Sequence, residues 1–453
     1  MIQLDALGPD GTYRAHRRVP IADVAGTPLA QLSLVPGLFV QRSLATLRNA
    51  PTMPADERAA ALARAGHAFA TATLNGLAPR YYEHLVSRVS GTPISAVREA
   101  TRLTAQCAAE CYRNVEYARP VGATHHWTDP LTRRGSGVWI RRGDVFSVHA
   151  AGNHPGVHIL WLEALAMGYR VAVRPSQREP FTPHRLIAAL REAGFSDDQA
   201  ILLPTDHTIA DQIIRSADLA MVYGGDDVVD RYRAQPTILP QGPGRSKILL
   251  TEGRWEDHLD TITASISHHG GTACVNTTAV FVQGDPTPVA KAIAQQLSTI
   301  PSLPPHDDKA VLPARPLTAA QTLESYVLTH AKGATAHLGG EGIVDVLADG
   351  SAVLRPAVFE LGSANAPQTG IEVPFPCVWI APWEPSDGIE PLRHTLALTA
   401  ITDDHDLIDR LVGEPTIRNV YIGDRPTYQT EFGLPHDSYL ADFLMRTKTV
   451  IRA

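Results

Sequence analysis

Residues 145–174, VFSVHAAGNHPGVHILWLEALAMGYRVAVR, decide the fold class of the chain. The two ends of this stretch are short runs rich in Val, Phe and Ala, and its middle carries apolar residues at helical spacing and stops at Gly168. The order strand, loop, helix, strand is typical of a βαβ unit, in which both strands lie parallel in one sheet. The stretch therefore predicts an α/β protein.

The same alternation continues along the chain. Two further helical segments alternate with two further apolar runs up to residue 225, and a second alternating region spans residues 247–421. Residues 54–119 are Ala-rich with apolar residues at helical spacing, which predicts a helical layer. Residues 123–141 contain Asp-Pro and Gly-Ser-Gly turn signals, which predict a hairpin. We therefore expect two doubly wound α/β domains and one small hairpin.

Three loops of the first alternating region are candidate ligand-binding loops. Each follows a predicted strand and contains Gly or Pro. In doubly wound sheets, ligands bind at the carboxyl ends of the strands. The candidate loops are Gly152–Gly156, Pro175–Glu179 and Gly224–Asp227.

The composition is that of an ordinary globular chain and excludes several kinds of partner. The 453 residues include 40 Lys and Arg against 47 Asp and Glu, a net charge of −7, so we expect no nucleic-acid surface. Four cysteines without metal-binding spacing predict neither a disulfide framework nor a metal site. The start does not resemble a secretion signal, and no run of about 18 apolar residues occurs, so we expect a cytoplasmic protein without membrane contact.

Five motifs, in the right order, resemble those of the aldehyde dehydrogenase superfamily. Each motif alone is weak, but their common order is specific. Within the superfamily, the chain resembles the acyl reductase branch, which includes bioluminescence fatty acyl-CoA reductases and actinobacterial aryl-acid reductase subunits of secondary metabolism. The motifs are Ala151-Gly152-Asn153-His154-Pro155, Arg174-Pro175-Ser176-Gln177 (Lys-Pro-Ser-Glu in the family), Tyr223-Gly224-Gly225 (Thr-Gly-Ser), Gly271-Thr272-Ala273-Cys274 (Gly-Gln-x-Cys) and Glu372-Val373-Pro374-Phe375-Pro376 (Glu-x-Phe-Gly-Pro).

The resemblance implies that Cys274 is the catalytic nucleophile. A thiolate attacks acyl and aldehyde carbonyls, and the small neighbours of Cys274 leave room for a substrate. The oxyanion formed by this attack needs preorganised donors, which the resemblance assigns to the side-chain amide of Asn153 and the backbone N–H of Cys274. From composition alone, a core thiol at Cys274 and a turn-forming Asn153 remain the alternatives.

The resemblance also implies a nicotinamide cofactor. A 2′-phosphate needs cations and no nearby carboxylate, and Gln177 stands beside Arg174 where the family often has Glu, so NADP is favoured and NAD remains possible. Glu372 is expected to accept hydrogen bonds from the nicotinamide ribose. The alternatives without a cofactor are a solvated strand end for Arg174, a tight turn for Gly224 and Gly225, and an ordinary loop carboxylate for Glu372. The predicted cofactor residues are Arg174, Pro175, Ser176, Gln177, Gly224, Gly225 and Glu372.

One functional element of the family is missing. Members that oxidise aldehydes carry a Glu in a Glu-Leu-Gly-Gly loop, where it activates the water that hydrolyses the cysteinyl thioester. The corresponding residues 239–244 read LPQGPG, and neither Pro240 nor Gln241 accepts a proton at neutral pH. The next carboxylate along the chain is Glu252, which is the candidate substitute base. Without a base, a thioester on Cys274 resists water and suits reduction.

We therefore expect NADPH-dependent reduction of an activated acyl group to an aldehyde. The donor is a thioester of coenzyme A or of a carrier protein, or an acyl adenylate, because a free carboxylate does not acylate a thiol. An acyl-activating enzyme or carrier protein is accordingly an expected partner. Aldehyde oxidation with NAD(P), a Cys/His acyltransferase or thiol hydrolase using His268 or His269, and a catalytically silent scaffold are the alternatives.

The chain is expected to have three parts, with a domain boundary near residue 246, where the second alternating region begins. Residues 1–122 and 142–246 are expected to bind the cofactor, and residues 247–421 to form the catalytic domain. Residues 123–141 and 422–453 resemble oligomerisation elements, and the alternating end of the tail is typical of an edge strand that a second subunit covers. A homodimer or homotetramer is therefore expected.

Overall fold

The computed structural model describes residues 1–251 and 254–452. Within these ranges the chain forms two seven-stranded sheets covered by helices, and three smaller sheets. The predicted α/β class with two doubly wound sheets is confirmed. The predicted substitute base, Glu252, lies outside the described residues.

The first large sheet contains the stretch quoted above. Its strands send alternate residues to opposite faces: Val145 and Ala172 pack with the helix Gly37–Asn49, while Phe146 and Val171 pack in the core of the other face. Because both faces are buried, the strands are almost entirely apolar, as expected for a parallel sheet. Its strand order is Ile238–Gln241, Leu219–Tyr223, Val145–His149, Arg170–Arg174, Ala200–Leu202, Ala6–Gly8 and Gly11–Tyr13, and only Ala6–Gly8 runs antiparallel to the other strands.

The second large sheet is built in the same way. Leu249 and Phe281 face one core cluster, while Ile248 and Val280 face another. Its strand order is Thr335–Leu338, Ala357–Glu360, Cys377–Trp383, Thr277–Gln283, Ser246–Leu250, Thr395–Ile401 and Ile417–Ile422, and only the first is antiparallel. The two small three-stranded sheets comprise Ile2–Leu4, Pro28–Ser33 and Arg18–Ala22, and Ala314–Pro316, Ser351–Leu354 and Val344–Val346.

The helical layer predicted over residues 54–119 is present as three helices. None of the described helices is both long and apolar enough to cross a membrane. The helices are Gly37–Asn49, Ala55–Thr71, Pro79–Ser90, Ile94–Tyr117, Leu160–Ala166, Phe181–Glu192, His207–Ser216, Asp226–Tyr232, Leu259–Ser267, Thr287–Leu297, Leu317–His330, His405–Val412 and Leu440–Leu444.

The segment 123–141 differs from the predicted local hairpin. Its strand Ser136–Arg141 pairs in antiparallel fashion with the C-terminal strand Met445–Val450, so the two segments predicted for oligomerisation form one ribbon. Asp129 accepts a hydrogen bond from the backbone N–H of Leu131 at 2.9 Å and starts a 3-10 turn at Pro130. The residues predicted as the first strand of the hairpin therefore include a 3-10 turn, Pro130–Arg134, in place of a continuous strand.

Candidate active site

The three predicted ligand loops lie at one edge of the first sheet, because the strands before them are parallel. The loops of Asn153 and Ser176 touch: a Cβ on Gly152 would lie 2.5 Å from the hydroxyl oxygen of Ser176. Only glycine allows this approach. Arg174 is buried, and its Nε donates to the Thr205 hydroxyl at 2.9 Å. Arg174 thus anchors the neighbouring loop, while Gln177 is half-buried at the edge.

The Gly224–Gly225 turn joins this edge to the strand Ile238–Gln241. The N–H of Gly224 donates to the carbonyl of Gln241 at 3.0 Å, and a Cβ on Gly224 would lie 2.4 Å from Val228. Gly225 directly precedes a short helix whose first turn contains Asp226, and Asp226 is paired with Arg245 at 2.6 Å. The turn therefore packs tightly because Gly224 has no side chain, and Arg245 neutralises the charge of Asp226.

Cys274 follows a turn of unusual backbone conformation. His269, Gly270 and Gly271 have φ values of 50, 72 and 65°, in the left-handed region. A Cβ on Gly271 would lie 2.5 Å from the backbone nitrogen of Pro376. The fourth and fifth motifs of the sequence, which are about 100 residues apart, are thus in direct contact through a glycine.

The segment 239–244, which is expected to stand where the family carries its catalytic Glu, contacts Cys274 through Gly244. A Cβ on Gly244 would be 1.8 Å from the Cys274 carbonyl oxygen, and the Ser246 hydroxyl donates to the same oxygen at 3.0 Å. Next to this contact, the backbone N–H of Arg245 donates to a carboxylate oxygen of Glu372 at 2.6 Å. Burial raises the pKa of Glu372. The structure thus brings Cys274, Glu372 and the loop 239–244 together.

Asn153 lies beside the Cys274 turn. Its side-chain nitrogen donates to the backbone carbonyl of Thr272 at 3.1 Å, while its buried Oδ1 has no hydrogen-bond partner among the described residues. The amide nitrogen carries two hydrogens, of which this contact uses one. One N–H of Asn153 therefore remains for a substrate oxygen.

A histidine that the sequence did not predict contacts the sulfur. The Nε2 atom of His436 lies 3.5 Å from the Sγ atom of Cys274. Asp437 accepts a hydrogen bond from the side chain of Gln241 at 3.4 Å and lies close enough to Cys274 to affect its ionisation. Both residues belong to the segment 422–453, for which the sequence analysis predicts an oligomerisation element and no catalytic residue. They have no motif of their own and lie some 160 residues from Cys274 in sequence.

The electrostatics favour a neutral thiol and a neutral imidazole. Burial raises the pKa of Cys274 to about 12, with further contributions from Glu372 and Asp437, and only the N–H groups of Cys274 and Val275 act in the opposite direction. Burial also lowers the pKa of His436, against an opposing effect of Asp437. At neutral pH the pair is therefore a thiol next to an uncharged proton acceptor.

The two histidines considered in the sequence have other partners. The His268 ring stacks on His269 with centroids 3.7 Å apart and on Tyr428 at 3.8 Å, and His269 bonds Glu99 at 2.9 Å. Glu99, His268 and His269 form a compact cluster. Because the lone pair of an imidazole lies in the ring plane, two stacked rings do not point at one metal ion.

Comparisons with known proteins agree with the fold and the motifs. Residues 39–387 match the model of the aldehyde dehydrogenase family. The gamma-glutamyl-gamma-aminobutyraldehyde dehydrogenase from Burkholderia cenocepacia J2315 is 18% identical, with a TM-score of 0.82 over 99% of this chain and 96% of that chain. An indole-3-acetaldehyde dehydrogenase complexed with NAD⁺ is 17% identical, with a TM-score of 0.84 over the same shares.

A third similar structure is an E. coli NADP-dependent enzyme, which is 15% identical, with a TM-score of 0.81 over 99% of this chain and 98% of that chain. No curated protein matches the chain in sequence. The family match covers well over half of the residues. The chain therefore belongs to the aldehyde dehydrogenase family and is an oxidoreductase of that superfamily.

Proposed function

We propose that the protein uses NADPH to reduce an activated acyl group to an aldehyde through a thioester on Cys274. The observation that carries the proposal is the segment 239–244, which contacts Cys274 through Gly244 and contains no carboxylate. In family members that oxidise aldehydes, this loop supplies the base that activates water. Its absence favours a thioester that survives until it is reduced.

The residues at the edge of the first sheet fit a nicotinamide cofactor. The neighbours of similar fold include one complexed with NAD⁺ and one named as NADP-dependent, which supports a cofactor of this class here. Gly152 and Gly224 let these loops pack closely against the side chains of Ser176 and Val228, and Glu372 has a second carboxylate oxygen left for ribose hydroxyls. Gln177 removes the carboxylate that would oppose a 2′-phosphate. A bound reduced nicotinamide supplies the hydride.

The chain itself supplies the nucleophile and the oxyanion site. The sulfur of Cys274 attacks the acyl carbonyl, and the bond to the leaving thiol or adenylate breaks. The free N–H of Asn153 and the N–H of Cys274 stabilise the negative oxygen in this step and again after hydride transfer. Collapse of the resulting thiohemiacetal releases the aldehyde and restores Cys274. An acyl-activating enzyme or carrier protein is the proposed source of the donor.

A second candidate, aldehyde oxidation, is favoured by one observation. Asp437 lies near Cys274, and its charge affects the ionisation of the thiol. However, one oxygen of this carboxylate accepts from Gln241, and the other accepts from the backbone N–H of Ser438 at 3.0 Å. Oxidation would require Asp437 to leave these contacts and activate water.

The test uses mass spectrometry and product analysis together. The protein is incubated with acyl-CoA, acyl-carrier and acyl-adenylate donors of aryl and fatty acids, first without NADPH. A stable acyl adduct on Cys274, followed by aldehyde when NADPH is added, supports the proposal. Absence of an adduct and of aldehyde with every donor, together with NAD(P)⁺-dependent conversion of aldehydes into acids, would overturn it. Cys274→Ala is the control and should give neither adduct nor aldehyde.

A further inference from the structure

We infer that His436 is a catalytic residue that takes the proton from Cys274 when the sulfur attacks and returns it to the leaving group. For the acyl steps the inference rests on the proposed function. The effect of His436 on the reactivity of the thiol does not depend on it.

The geometry of His436 is fixed by the strand Ile417–Ile422. The side chain of Asn419 donates both to the carbonyl of Leu396 at 3.0 Å and to the carbonyl of His436. The Tyr439 hydroxyl closes the same segment by donating to the carbonyl of Gly433 at 2.9 Å. These contacts hold the Nε2 atom 3.5 Å from the sulfur of Cys274, within the range for a hydrogen bond to sulfur.

The thiol needs such a partner. Because burial raises the pKa of Cys274 to about 12, the thiol is almost entirely protonated at pH 7. A positioned base removes this limitation because the proton leaves as the sulfur attacks, which contributes about 10²–10⁴ in rate. Among the described residues, His436 is the only histidine in contact with Sγ, and its Nε2 can accept the proton in the tautomer that carries hydrogen on Nδ1.

The other polar groups around the sulfur are poorly suited to this role. The Tyr223 hydroxyl lies near Cys274, donates to the carbonyl of Val157 at 3.2 Å and has its pKa raised by burial. Glu372 is bonded to the N–H of Arg245, and Asp437 to Gln241. Both carboxylates disfavour a thiolate, and Asp437 also favours a protonated His436.

The reaction balances with Cys274, His436, the acyl donor, NADPH and one proton from solvent. As the S–C bond forms, the thiol proton moves to Nε2 of His436. The bond between the acyl carbon and the leaving sulfur or oxygen then breaks, and this atom takes the proton from His436. After hydride transfer, the C–S bond breaks and the aldehyde carbonyl forms. A proton from solvent restores the thiol, so acyl donor, NADPH and one proton give aldehyde, free thiol or AMP, and NADP⁺.

The test measures the alkylation of Cys274 by iodoacetamide, followed by mass spectrometry of the peptide that contains it. This reaction needs neither acyl donor nor cofactor. His436→Gln keeps the size of the side chain but cannot accept a proton, and should lower the rate at pH 7 by about tenfold or more. His268→Gln is the matched control, since this ring stacks on His269 without contacting the sulfur, and should alkylate like the wild type.

The rate of Cys274 alkylation in the wild type, measured as a function of pH, tests the inference even when His436→Gln does not fold. With His436 as base, the rate levels off once the imidazole is neutral. A rate that rises tenfold per pH unit up to pH 9, or unchanged alkylation of folded His436→Gln, would overturn the inference. A third outcome is also informative: the rate of alkylation depends on His436, but no acyl donor modifies Cys274. This result would contradict the proposed function and would still support the role of His436 as the base for the thiol.

Discussion

Cys274 is held between two regions of very different construction. On one side, the backbone of Gly244 lies so close to the Cys274 carbonyl that no side chain fits between them, and Ser246 bonds the same carbonyl. On the other side, His436 reaches the sulfur from a loop near the C-terminus. The first region fixes the position of the nucleophile, and the second contacts its reacting atom. Substitutions on the two sides should therefore fail in different ways.

The largest effect is expected from Gly244→Ala. The added methyl would lie 1.8 Å from the Cys274 carbonyl oxygen, so the backbone of one loop has to move. We expect reduction of the acyl donor to fall by about a thousandfold, because a displacement of about 1 Å already costs on the order of a hundredfold. The melting temperature should also drop, as is usual for overpacking. Steady-state kinetics and thermal unfolding measure both.

Gly362→Ala provides the control for this substitution. An added Cβ at Gly362 has no atom within 4 Å, and φ there is not in the left-handed region. It should leave both the rate and the melting temperature unchanged. If Gly244→Ala behaves like this control, the close contact with Cys274 does not exist in the protein.

The two regions also differ in how far the sequence predicts them. The turn before Cys274 and the loop 239–244 are recognisable because each requires particular residues: glycines where the backbone approaches closely, and a cysteine at a fixed distance. His436 and Asp437 have no such signal. Their segment has no periodicity, and they are held near the sulfur by contacts with residues distant in sequence, such as the one between Asn419 and the carbonyl of His436.

The fold shows the same division. The βαβ unit around Asn153 was predictable because strands buried on both faces are continuously apolar and their helices end at glycines. The N-terminal strands that extend the first sheet, such as Ala6–Gly8, are three residues long and show no alternation. The predicted hairpin at 123–141 was wrong in its pairing, because its partner, Met445–Val450, lies at the far end of the chain. Such long-range pairing leaves no local pattern.

A second prediction restores the missing base. Gln241→Glu places a carboxylate at the end of the strand Ile238–Gln241, three residues before Gly244, which contacts Cys274. We expect hydrolysis of the acyl adduct on Cys274 to accelerate by about a hundredfold, within the usual range for a general base. The lifetime of the adduct, followed by mass spectrometry without NADPH, measures the effect. Aldehyde yield from the same donor should fall as free acid accumulates.

Gln235→Glu controls for the added charge, since Gln235 is exposed on the turn before the same strand. Its adduct should persist as in the wild type. An equally stable adduct in Gln241→Glu would mean that position 241 does not face the water that attacks the thioester, and the argument from the missing base would lose its support.

The smallest effect is expected from Asp437→Asn, which separates the two candidate functions. Asp437 opposes the lowering of the pKa of His436, so its removal should shift the levelling of Cys274 alkylation to lower pH. Because Asp437 is bonded to Gln241 and Ser438 rather than to the sulfur, the lifetime of the acyl adduct should change by less than about fivefold. Asp437 would instead be the water-activating base if Asp437→Asn made the acyl adduct a hundredfold more stable and also abolished an aldehyde oxidation that the wild type performs. In that case the C-terminal loop would supply both proton acceptors, His436 for the attack by Cys274 and Asp437 for hydrolysis of the thioester. Aldehyde oxidation would then be the natural direction of the reaction.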